Sequence, residues 1–371
     1  MARPPIAILL PTLMVGDATG TDALQMRDAL TAAGHAVHIF ANESESGLGA
    51  RPIDEAATFL RRHTGPVIYH QGTQWEHGLS LIAQLRGPLL IRDHNVTPPH
   101  FFRGVNESFV EATQAGLDAR HALAARRDVA CFLPCSEFSA SELRALGVAD
   151  ERIAVLPPFH EVAAMEERAP DADALRRWSR DPADLLFVSR IAPNKGQRHL
   201  LRLSALHREL FGQPLRIRLV GRRNPKLELW ERLLRREAAR LGVLRSLDIV
   251  GDVTPGELKA AYLTSHIFCS ASQHEGFCVP LVEAAWLGLP VVATRHAAVP
   301  ETLGPVGLVF DEDESETDAT VTMLHRLLTE PATRHRVARA QQQWMHARYN
   351  REVLAERFLE IVAPFSEQAA R

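Results

Sequence analysis

The sequence predicts an α/β protein made of two doubly wound domains. Short apolar runs alternate with longer segments of helical period along the whole chain, which is the pattern of parallel sheets wrapped by helices. The length of 371 residues exceeds that of one ordinary domain. A polar segment with few strand formers, residues 166–184, interrupts the apolar runs and is predicted to be a linker.

Residues 1–165 are predicted to form the first domain. The run IAILLPT is a buried strand, the following loop contains Gly16 and Gly20, a helix ends at Gly34, and HAVHIFA is the next strand. Four further strands are predicted before residue 160: PVIYH, PLLIRDH, VACFLPCS and RIAVLPP. The closing helix, residues 350–371, is expected to complete this domain.

Residues 185–349 are predicted to form the second domain. Its strands are LLFVSRI, LRIRLVG, LDIVGDV, HIFCSAS, LPVVAT and VGLVF. Two such domains would face each other across a cleft, and ligands of open α/β sheets bind at the carboxyl ends of the strands. Residues that directly follow a strand are therefore the first candidates for chemistry.

Composition and charge narrow the class of protein. Hydrophobic residues make up 46% of the chain and charged residues 23%, which is typical of soluble globular proteins, and the formal net charge of −3 gives no reason to expect nucleic acid as a partner. No apolar run reaches about 18 residues, so no membrane span is predicted, and the apolar N-terminal run is interpreted as a strand rather than a signal sequence. The chain has four cysteines without CxxC spacing, which favours reduced thiols and a cytoplasmic location: Cys131, Cys135, Cys269 and Cys278.

Two glutamates follow the predicted strand HIFCSAS. In HEGFCVPLVEA, Glu275 lies in a loop, Pro280 suits the first helical turn, and Glu283 follows one turn later. A helix N-terminus attracts phosphate, and an ionised carboxylate can accept two hydrogen bonds from a vicinal diol. The stretch indicates a nucleotide-sugar pocket; alternatively, Glu283 offsets the helix dipole and Glu275 is a loop charge.

Two basic residues follow the strand that opens the second domain. In FVSRIAPNKGQRHLL, Arg190 and Lys195 flank a Pro-Asn turn, from which both could donate charge-assisted hydrogen bonds to a diphosphate. Only three of the 42 basic residues are lysines, so a lysine in this loop suggests that a compact point charge is wanted. The alternative is a solvated turn.

The first glycine loop keeps a different class of protein open. Gly16 and Gly20 follow a strand and precede a helix, and Glu43 lies just past the second strand, as in an NAD-binding oxidoreductase. The glycine spacing does not match the dinucleotide fingerprint. This reading explains neither the basic loop nor the glutamate pair.

Several histidines lie near the ends of the third and fourth strands: His70, His77, His94 and His100. His94 ends a strand and precedes an extended Thr-Pro-Pro segment, so it could hydrogen-bond a sugar or the reacting centre. A purely structural histidine is the alternative. Zinc is not expected, because none of these residues shares a ligand spacing with a carboxylate or thiolate.

Together, SRIAPNKG and HEGFCVPLVEA resemble the retaining GT-B glycosyltransferases of family 4, which use sugar nucleotides. PCSEFSASEL and VLPPF extend the similarity over most of the chain. The resemblance implies a GT-B fold with two Rossmann-like domains. It also implies transfer of a hexose, with retention, from a UDP- or GDP-sugar to a saccharide or lipid-linked acceptor in bacterial polysaccharide or glycoconjugate assembly; a non-catalytic sugar-binding member of the fold is an alternative.

The resemblance also implies roles for individual residues. Glu275 would contact the donor sugar and Glu283 the ribose, while Arg190 and Lys195 would neutralise the leaving diphosphate. The remaining implied donor-side and sugar contacts are the backbone N–H groups around Gly276, Phe277 and Cys278, together with Gly16 near the phosphates and His94 near the sugar. Cys278 departs from the glycine usual in the family, and Pro158-Phe159 replaces the usual Asn-Gly.

Two secondary expectations concern metals and membranes. The patterns Asp171-Ala172-Asp173 and Asp311-Glu312-Asp313 are predicted to lie in the linker and after the last strand, away from the cleft, so no metal cofactor is expected. Residues 119–130 could form a basic helix face for peripheral membrane contact, or a solvated arginine face.

Overall fold

The computed structural model describes residues 4–14, 16–83, 85–312 and 314–368. The chain divides into two compact units, one of residues 1–99, 108–161 and 349–371 and the other of residues 100–107 and 162–348. Each unit contains one six-stranded sheet, and the paired strands are parallel. The predicted α/β fold with two doubly wound domains is confirmed.

The first unit has the sheet order β3-β2-β1-β4-β5-β6. Its elements are β1 (Ile6–Leu13), α1 (Ala18–Ala32), β2 (Val37–Ser44), β3 (Arg51–Pro52), α2 (Ile53–Leu60), β4 (Val67–Gln71), α3 (Glu76–Ile82), β5 (Leu89–Asp93), α4 (Glu107–Ala125), β6 (Val129–Pro134), α5 (Glu137–Ala145) and, from the end of the chain, α15 (Arg351–Gln368). Apolar clusters cover both faces of the sheet, and α1 and α15 pack on one of them through Met26, Leu30 and Phe358.

One strand predicted in this unit is not a member of the sheet. The run RIAVLPP forms only an isolated bridge between Phe132 and Ile153. Two backbone hydrogen bonds, from Ala154 to Phe132 and from Leu156 to Pro134, hold the run beside β6. The two consecutive prolines that follow cannot donate to a ladder, so the pairing ends there.

The second unit has the sheet order β12-β11-β10-β7-β8-β9. Its elements are α6 (Val162–Glu167), α7 (Ala172–Arg180), β7 (Ala183–Val188), α8 (Gln197–Phe211), β8 (Ile217–Val220), α9 (Glu228–Arg240), β9 (Leu247–Gly251), α10 (Pro255–Leu263), β10 (Ser265–Ser270), α11 (Val279–Trp286), β11 (Val291–Thr294), α12 (Val299–Leu303), β12 (Leu308–Phe310), α13 (Glu314–Thr329) and α14 (Pro331–Arg348). Each of the six apolar runs predicted here forms a strand of this sheet.

The predicted linker, residues 166–184, is instead part of the second unit. Asp171 caps α7 by accepting a hydrogen bond from the Ala174 N–H, and α7 buries Ala174 and Trp178. Lys259 of α10 donates to the carbonyl oxygens of Glu166 and Arg168. The linker assignment was wrong because the apolar stripe of α7 is only two residues wide and is hidden among charged ones.

The unit boundaries also differ in detail from the predicted domains. The N-terminal part of the first unit ends at residue 161 and the unit resumes at residue 349, while residues 100–107 group with the second unit. Within that unit, the Asn106 side-chain amide donates to the carbonyl of Lys226. In the described part of the chain, no helix combines the length and the apolar character needed to cross a bilayer.

Candidate functional site

The loop between β10 and α11 turns through a left-handed residue. Cys278, immediately before the helix, has φ 78° and ψ 70°, a region that L-residues other than glycine seldom occupy. This is the position where the resembled family has glycine. The thiol is buried, and burial followed by the nearby Glu275 carboxylate raises its pKa well above the ordinary range, so it stays a neutral thiol.

The predicted lysine and the first glutamate meet in the second unit. Lys195 Nζ lies 2.6 Å from Glu275 Oε1, although 80 residues separate them, and their side chains are 13% and 12% exposed. Burial would raise the pKa of Glu275, but the charge and hydrogen bond of Lys195, together with smaller contributions from Ser272 and His274, lower this pKa below its ordinary value. The site therefore holds an ionised carboxylate with a single neutralising cation.

Gly196 allows this pair to form. It has φ 59°, and a β-carbon on it would lie 1.9 Å from the carbonyl oxygen of Ala271. The two loops are also joined by a hydrogen bond from Gln273 N–H to the Asn194 carbonyl. Only glycine permits the loop after β7 to approach the loop after β10 this closely.

The second glutamate has a neutral partner. Glu283 lies one turn into α11, and the Tyr262 hydroxyl donates to its Oε2 at 2.6 Å. Burial raises the pKa of Glu283, and the hydrogen bond from Tyr262 opposes that rise. Sequence reasoning missed Tyr262, which lies in α10 and carries no local sign of its contact.

Arg190 is exposed, two residues beyond the end of β7. Its carbonyl accepts a hydrogen bond from Gln197, but its guanidinium makes no hydrogen bond or ion pair with any residue that the structure describes. A free guanidinium and the Lys195 ammonium thus follow the same strand. Two cations in these positions suit an anionic ligand, and their binding role stays a prediction.

The backbone of the turn offers further donors. Within the described residues, the N–H groups of Gly276 and Cys278 donate to no protein acceptor. The carbonyl of Phe277, by contrast, accepts from Thr302, which anchors the turn to α12. Unpaired N–H groups before a helix suit a phosphate or a sugar hydroxyl.

Sequence reasoning also missed a basic loop after β8. Gly221 is followed by two arginines, and a cavity of about 200 Å³ lies here, lined by Ile191, Arg223, Asn224, Pro225, Leu227, Glu228 and Glu231. Arg223 is held by Glu231 and by the carbonyl of Ile249. The signal was the same one that selected Arg190, a basic residue directly after a buried strand.

The acidic pattern after the last strand contacts the loop that carries Glu275. Asp311 and Glu312 were predicted to lie after the last strand, away from the cleft; Gln273, two residues before Glu275, donates to Glu312 Oε2 at 2.7 Å. The reason is that β12 ends at Phe310 on the same edge of the parallel sheet as β10. Asp313, the last residue of that acidic pattern, lies outside the described residues.

In the first unit, Gly16 precedes α1 and has φ 74°. A β-carbon there would meet nothing within 4 Å, so the dihedral angle rather than space favours glycine. Asp17 caps α1 by accepting from the Gly20 N–H at 3.0 Å. The loop therefore leads into a capped helix N-terminus next to β1.

His94 lies at the end of β5, but its ring nitrogens face protein groups. Nε2 is 2.8 Å from Nδ1 of His70 and 3.8 Å from an oxygen of Asp22, and Nδ1 is 3.9 Å from the Cys135 sulfur. Burial, then Arg92, lowers the pKa of His94 to about 4 despite the opposing charge of Asp22. His94 is thus a neutral ring that would have to release a protein partner to hydrogen-bond a sugar through nitrogen. His77 and His100 are both exposed and have no part in this contact.

A buried ion pair supports this histidine, and no sequence pattern had indicated it. Arg92 donates to both oxygens of Asp22 and to the carbonyls of Leu133 and Leu156. Asp22 also accepts from the backbone N–H of Phe159 at 2.8 Å, which ties the segment after the two prolines to α1.

Asp22, His70 and His94 bring three potential metal-ligand atoms within 4.8 Å of one another. Spacing along the sequence could not reveal this cluster, because three separate elements supply it. Arg92, at 2.7 Å from Asp22, already neutralises the carboxylate and would repel a divalent cation. The residues present therefore fit a metal ion poorly.

A second buried network changes the interpretation of the basic segment 119–130. Arg120 donates to Asp93, Glu142 and the Ser139 carbonyl, and it is buried. Arg126 pairs with Asp128. These two arginines are paired within the protein and do not belong to a solvated basic face. Membrane contact through this segment stays a prediction, and it would depend on fewer basic side chains.

Asn95, next to His94, also lies in the left-handed region, with φ 65°. Its side chain donates to Ser139 and Glu142 and accepts from the Val96 N–H. These three hydrogen bonds offset the strain and fix the turn that follows His94.

The amino-acid sequence is similar to those of known glycosyltransferases. Residues 173–344 match the family of glycosyl transferases group 1. The chain is 33% identical over 151 residues to the MMP alpha-(1->4)-mannosyltransferase of Mycolicibacterium hassiacum, covering 40% of this chain and 34% of that protein. It is 32% identical over 178 residues to the GDP-mannose-dependent alpha-(1-6)-phosphatidylinositol monomannoside mannosyltransferase of Mycolicibacterium smegmatis, covering 44% of each. The matches thus span well under two thirds of these relatives.

Solved structures match over nearly the whole chain. Sucrose-phosphate synthase from Thermosynechococcus elongatus has a TM-score of 0.75 at 18% identity and covers 99% of this chain and 100% of its own. Anabaena HepE in complex with UDP-glucose has a TM-score of 0.72 at 16% identity and covers 97% and 100%. At these identities the likeness shows the fold alone, and the predicted GT-B architecture is confirmed.

Proposed function

We propose that the protein, whose residues 173–344 match the family of glycosyl transferases group 1, transfers a hexose from a nucleoside-diphosphate sugar to a saccharide or lipid-linked acceptor. The observation that carries the proposal is the contact between Lys195 and Glu275 in the loops after β7 and β10, with the free guanidinium of Arg190 beside the same strand. A site of this kind combines cations for a diphosphate with an acceptor for sugar hydroxyls.

The cations would act on the leaving group. Breaking the bond between the sugar and the diphosphate places negative charge on a phosphate oxygen, and a positioned cation stabilises that charge as it develops. Lys195 is bound to Glu275 in the structure described, so the donor diphosphate would take over Lys195 while Glu275 turns to the sugar. The Arg190 guanidinium has no partner to give up among the residues that the structure describes.

The carboxylates would hold the donor. Glu275 is ionised and partly accessible, and the unpaired N–H groups of Gly276 and Cys278 flank it. Glu283 has one oxygen occupied by Tyr262 and would accept the ribose hydroxyls with the other. The cavity that Arg223 and Ile191 line adjoins the loops after β7 and β8 and would receive the nucleoside.

The resemblance supports a retaining reaction. The acceptor hydroxyl oxygen would bond to the anomeric carbon on the face from which the diphosphate leaves. The bond from that carbon to the phosphate oxygen would break, and the hydroxyl proton would pass to the departing phosphate. Glu275 then positions the sugar and stabilises its developing positive charge. We also propose that no metal is needed, because Arg190 and Lys195 supply the positive charge.

The names of the similar proteins support the choice of donor class. Two of the curated relatives are named GDP-mannose-dependent mannosyltransferases, and HepE was solved with UDP-glucose. We therefore propose a GDP- or UDP-hexose as the donor, with GDP-mannose the first to try. A lipid-linked acceptor would bring the protein to a membrane surface, and co-sedimentation with anionic vesicles measures that contact.

The test is a screen of nucleotide sugars by thermal shift and by hydrolysis, with and without a chelator. We expect stabilisation and slow hydrolysis of one GDP- or UDP-hexose, unchanged by the chelator, and loss of hydrolysis in Glu275→Gln. Glu209→Gln, an exposed carboxylate of α8, is the matched control and should keep full activity. Full activity in Glu275→Gln, or stabilisation by NAD in place of any nucleotide sugar, would contradict the proposal.

A further inference from the structure

We propose that Tyr262 is a positioning residue that orients Glu283 toward the donor ribose; this inference rests on the proposed function and adds a residue to it. Tyr262 is one of only three tyrosines in the chain, and its ring lies in α10 with 1% of its surface exposed. It would not touch the donor itself. Its effect would pass through a single hydrogen bond to Glu283.

The geometry of that bond fixes one carboxylate oxygen. The Tyr262 hydroxyl donates to Glu283 Oε2 at 2.6 Å, a short distance typical of a hydroxyl bound to an ionised carboxylate. An ionised carboxylate has further lone pairs, and Oε1 makes no hydrogen bond with any described residue. The phenol therefore selects which oxygen stays available for a ligand.

The two glutamates differ in the kind of partner that stabilises their charge. Glu275 has the Lys195 ammonium beside it, whereas Glu283 forms no ion pair within the described residues. A buried carboxylate without a counter-charge is costly unless it is hydrogen-bonded. Among the described residues, Glu283 is a half-buried carboxylate whose side chain pairs with a phenol alone, and a ligand contact would explain this pairing.

In the part of the chain that the structure describes, Tyr262 is the titratable group that hydrogen-bonds Glu283. Tyr262 faces it from α10, and the neutral Cys278 thiol lies near both groups in the turn before α11. The charged and titratable side chains that face α11 from α6 and α14, Glu166 and His346, contact Trp286 instead. Burial raises the pKa of Glu283 and Tyr262 lowers it. Removing the hydroxyl therefore moves this pKa further upward.

The experiment compares nucleotides with and without the ribose diol. Binding of UDP, GDP and their 2′,3′-dideoxy forms is measured by calorimetry for the natural protein, Tyr262→Phe and Tyr69→Phe. Tyr69 is the matched control, because its hydroxyl is buried and has no hydrogen-bond partner among the described residues. We expect Tyr262→Phe to weaken binding of UDP or GDP about tenfold and to leave the affinity for the dideoxy forms unchanged. Tyr69→Phe should change neither affinity.

The pH dependence of nucleotide affinity distinguishes a positioning role of Tyr262 from a merely structural one, which would leave that dependence unchanged. Ionised Glu283 accepts the ribose hydroxyls, so affinity falls as pH drops through its pKa. In Tyr262→Phe this fall should begin at a higher pH. In a Glu283→Gln background, Tyr262→Phe should lose its effect, because the two changes act on one interaction.

The outcomes separate the two proposals. A natural protein that binds neither nucleotide and turns over no nucleotide sugar overturns the proposed function and this inference together. Suppose instead that the natural protein binds a nucleotide through the diol. If Tyr262→Phe then binds that nucleotide equally well, or if its affinity for the dideoxy form falls as much as its affinity for the nucleotide, only the inference on Tyr262 is overturned.

Discussion

Both units hold carboxylates near the carboxyl ends of their strands, but the number of partners that these carboxylates have among the described residues differs. In the first unit, Asp22 accepts hydrogen bonds from Arg92 and from the Phe159 N–H and is fully buried. In the second unit, Glu275 has one cationic partner and Glu283 one phenol, and the Glu275 side chain keeps some exposure.

We expect this difference to separate charges that hold the fold together from charges that can bind a ligand. A carboxylate whose lone pairs are all used by buried donors cannot accept a ligand without breaking the fold around it. A carboxylate with one partner can exchange that partner. A charged residue directly after a strand is therefore weak evidence for a ligand site until its hydrogen-bond and ion-pair partners are known.

The largest expected effect tests the structural side of this comparison. Arg92→Met leaves the carboxylate of Asp22 buried without its cation, and we expect a loss of about 3–5 kcal/mol in the free energy of unfolding. Urea denaturation followed by circular dichroism measures the loss. Arg190→Met, which removes an exposed and unpaired guanidinium, is the control and should change stability by less than about 0.5 kcal/mol. Equal effects of the two substitutions would erase the distinction.

The second effect tests the ligand-binding side. Lys195→Ala should lower the rate of donor turnover by about 10²–10³-fold, which corresponds to about 2.7–4 kcal/mol of transition-state stabilisation. Stability should fall less than in Arg92→Met, because Glu275 is partly exposed and can be hydrated. Lys226→Ala, at an exposed lysine of the same unit, serves as the control. A stability loss in Lys195→Ala as large as that of Arg92→Met, with turnover kept, would place Lys195 among the structural charges.

The smallest effect concerns strain in the donor-side turn. Cys278 has a positive φ, so Cys278→Gly should be more stable than Cys278→Ala by about 1 kcal/mol. At Cys269, in the interior of β10, the order should reverse by about 0.5–1 kcal/mol, because glycine weakens a strand relative to alanine. Thermal unfolding of the four variants measures both differences. The same order at both positions would mean that the turn is not strained.

The sequence predicted the features that have local signals. Apolar runs located the strands of the second unit, Pro280 located the turn that presents Glu275, and the Pro-Asn pair located the turn that presents Lys195. It failed where a contact joins distant elements: Asp22 and Arg92 are 70 residues apart, and Tyr262 and Glu283 lie on different helices. It also failed at α7, where the apolar stripe was too narrow to stand out from its charges.

Gly196 has a consequence for how such a protein could lose its activity in evolution. A single added methyl group at this position would force the lysine loop away from the Ala271 carbonyl and so separate Lys195 from Glu275. Every charged residue of the site would still be present in the sequence. A relative that has kept all its charged site residues but has a side chain at this glycine could therefore be an inactive descendant.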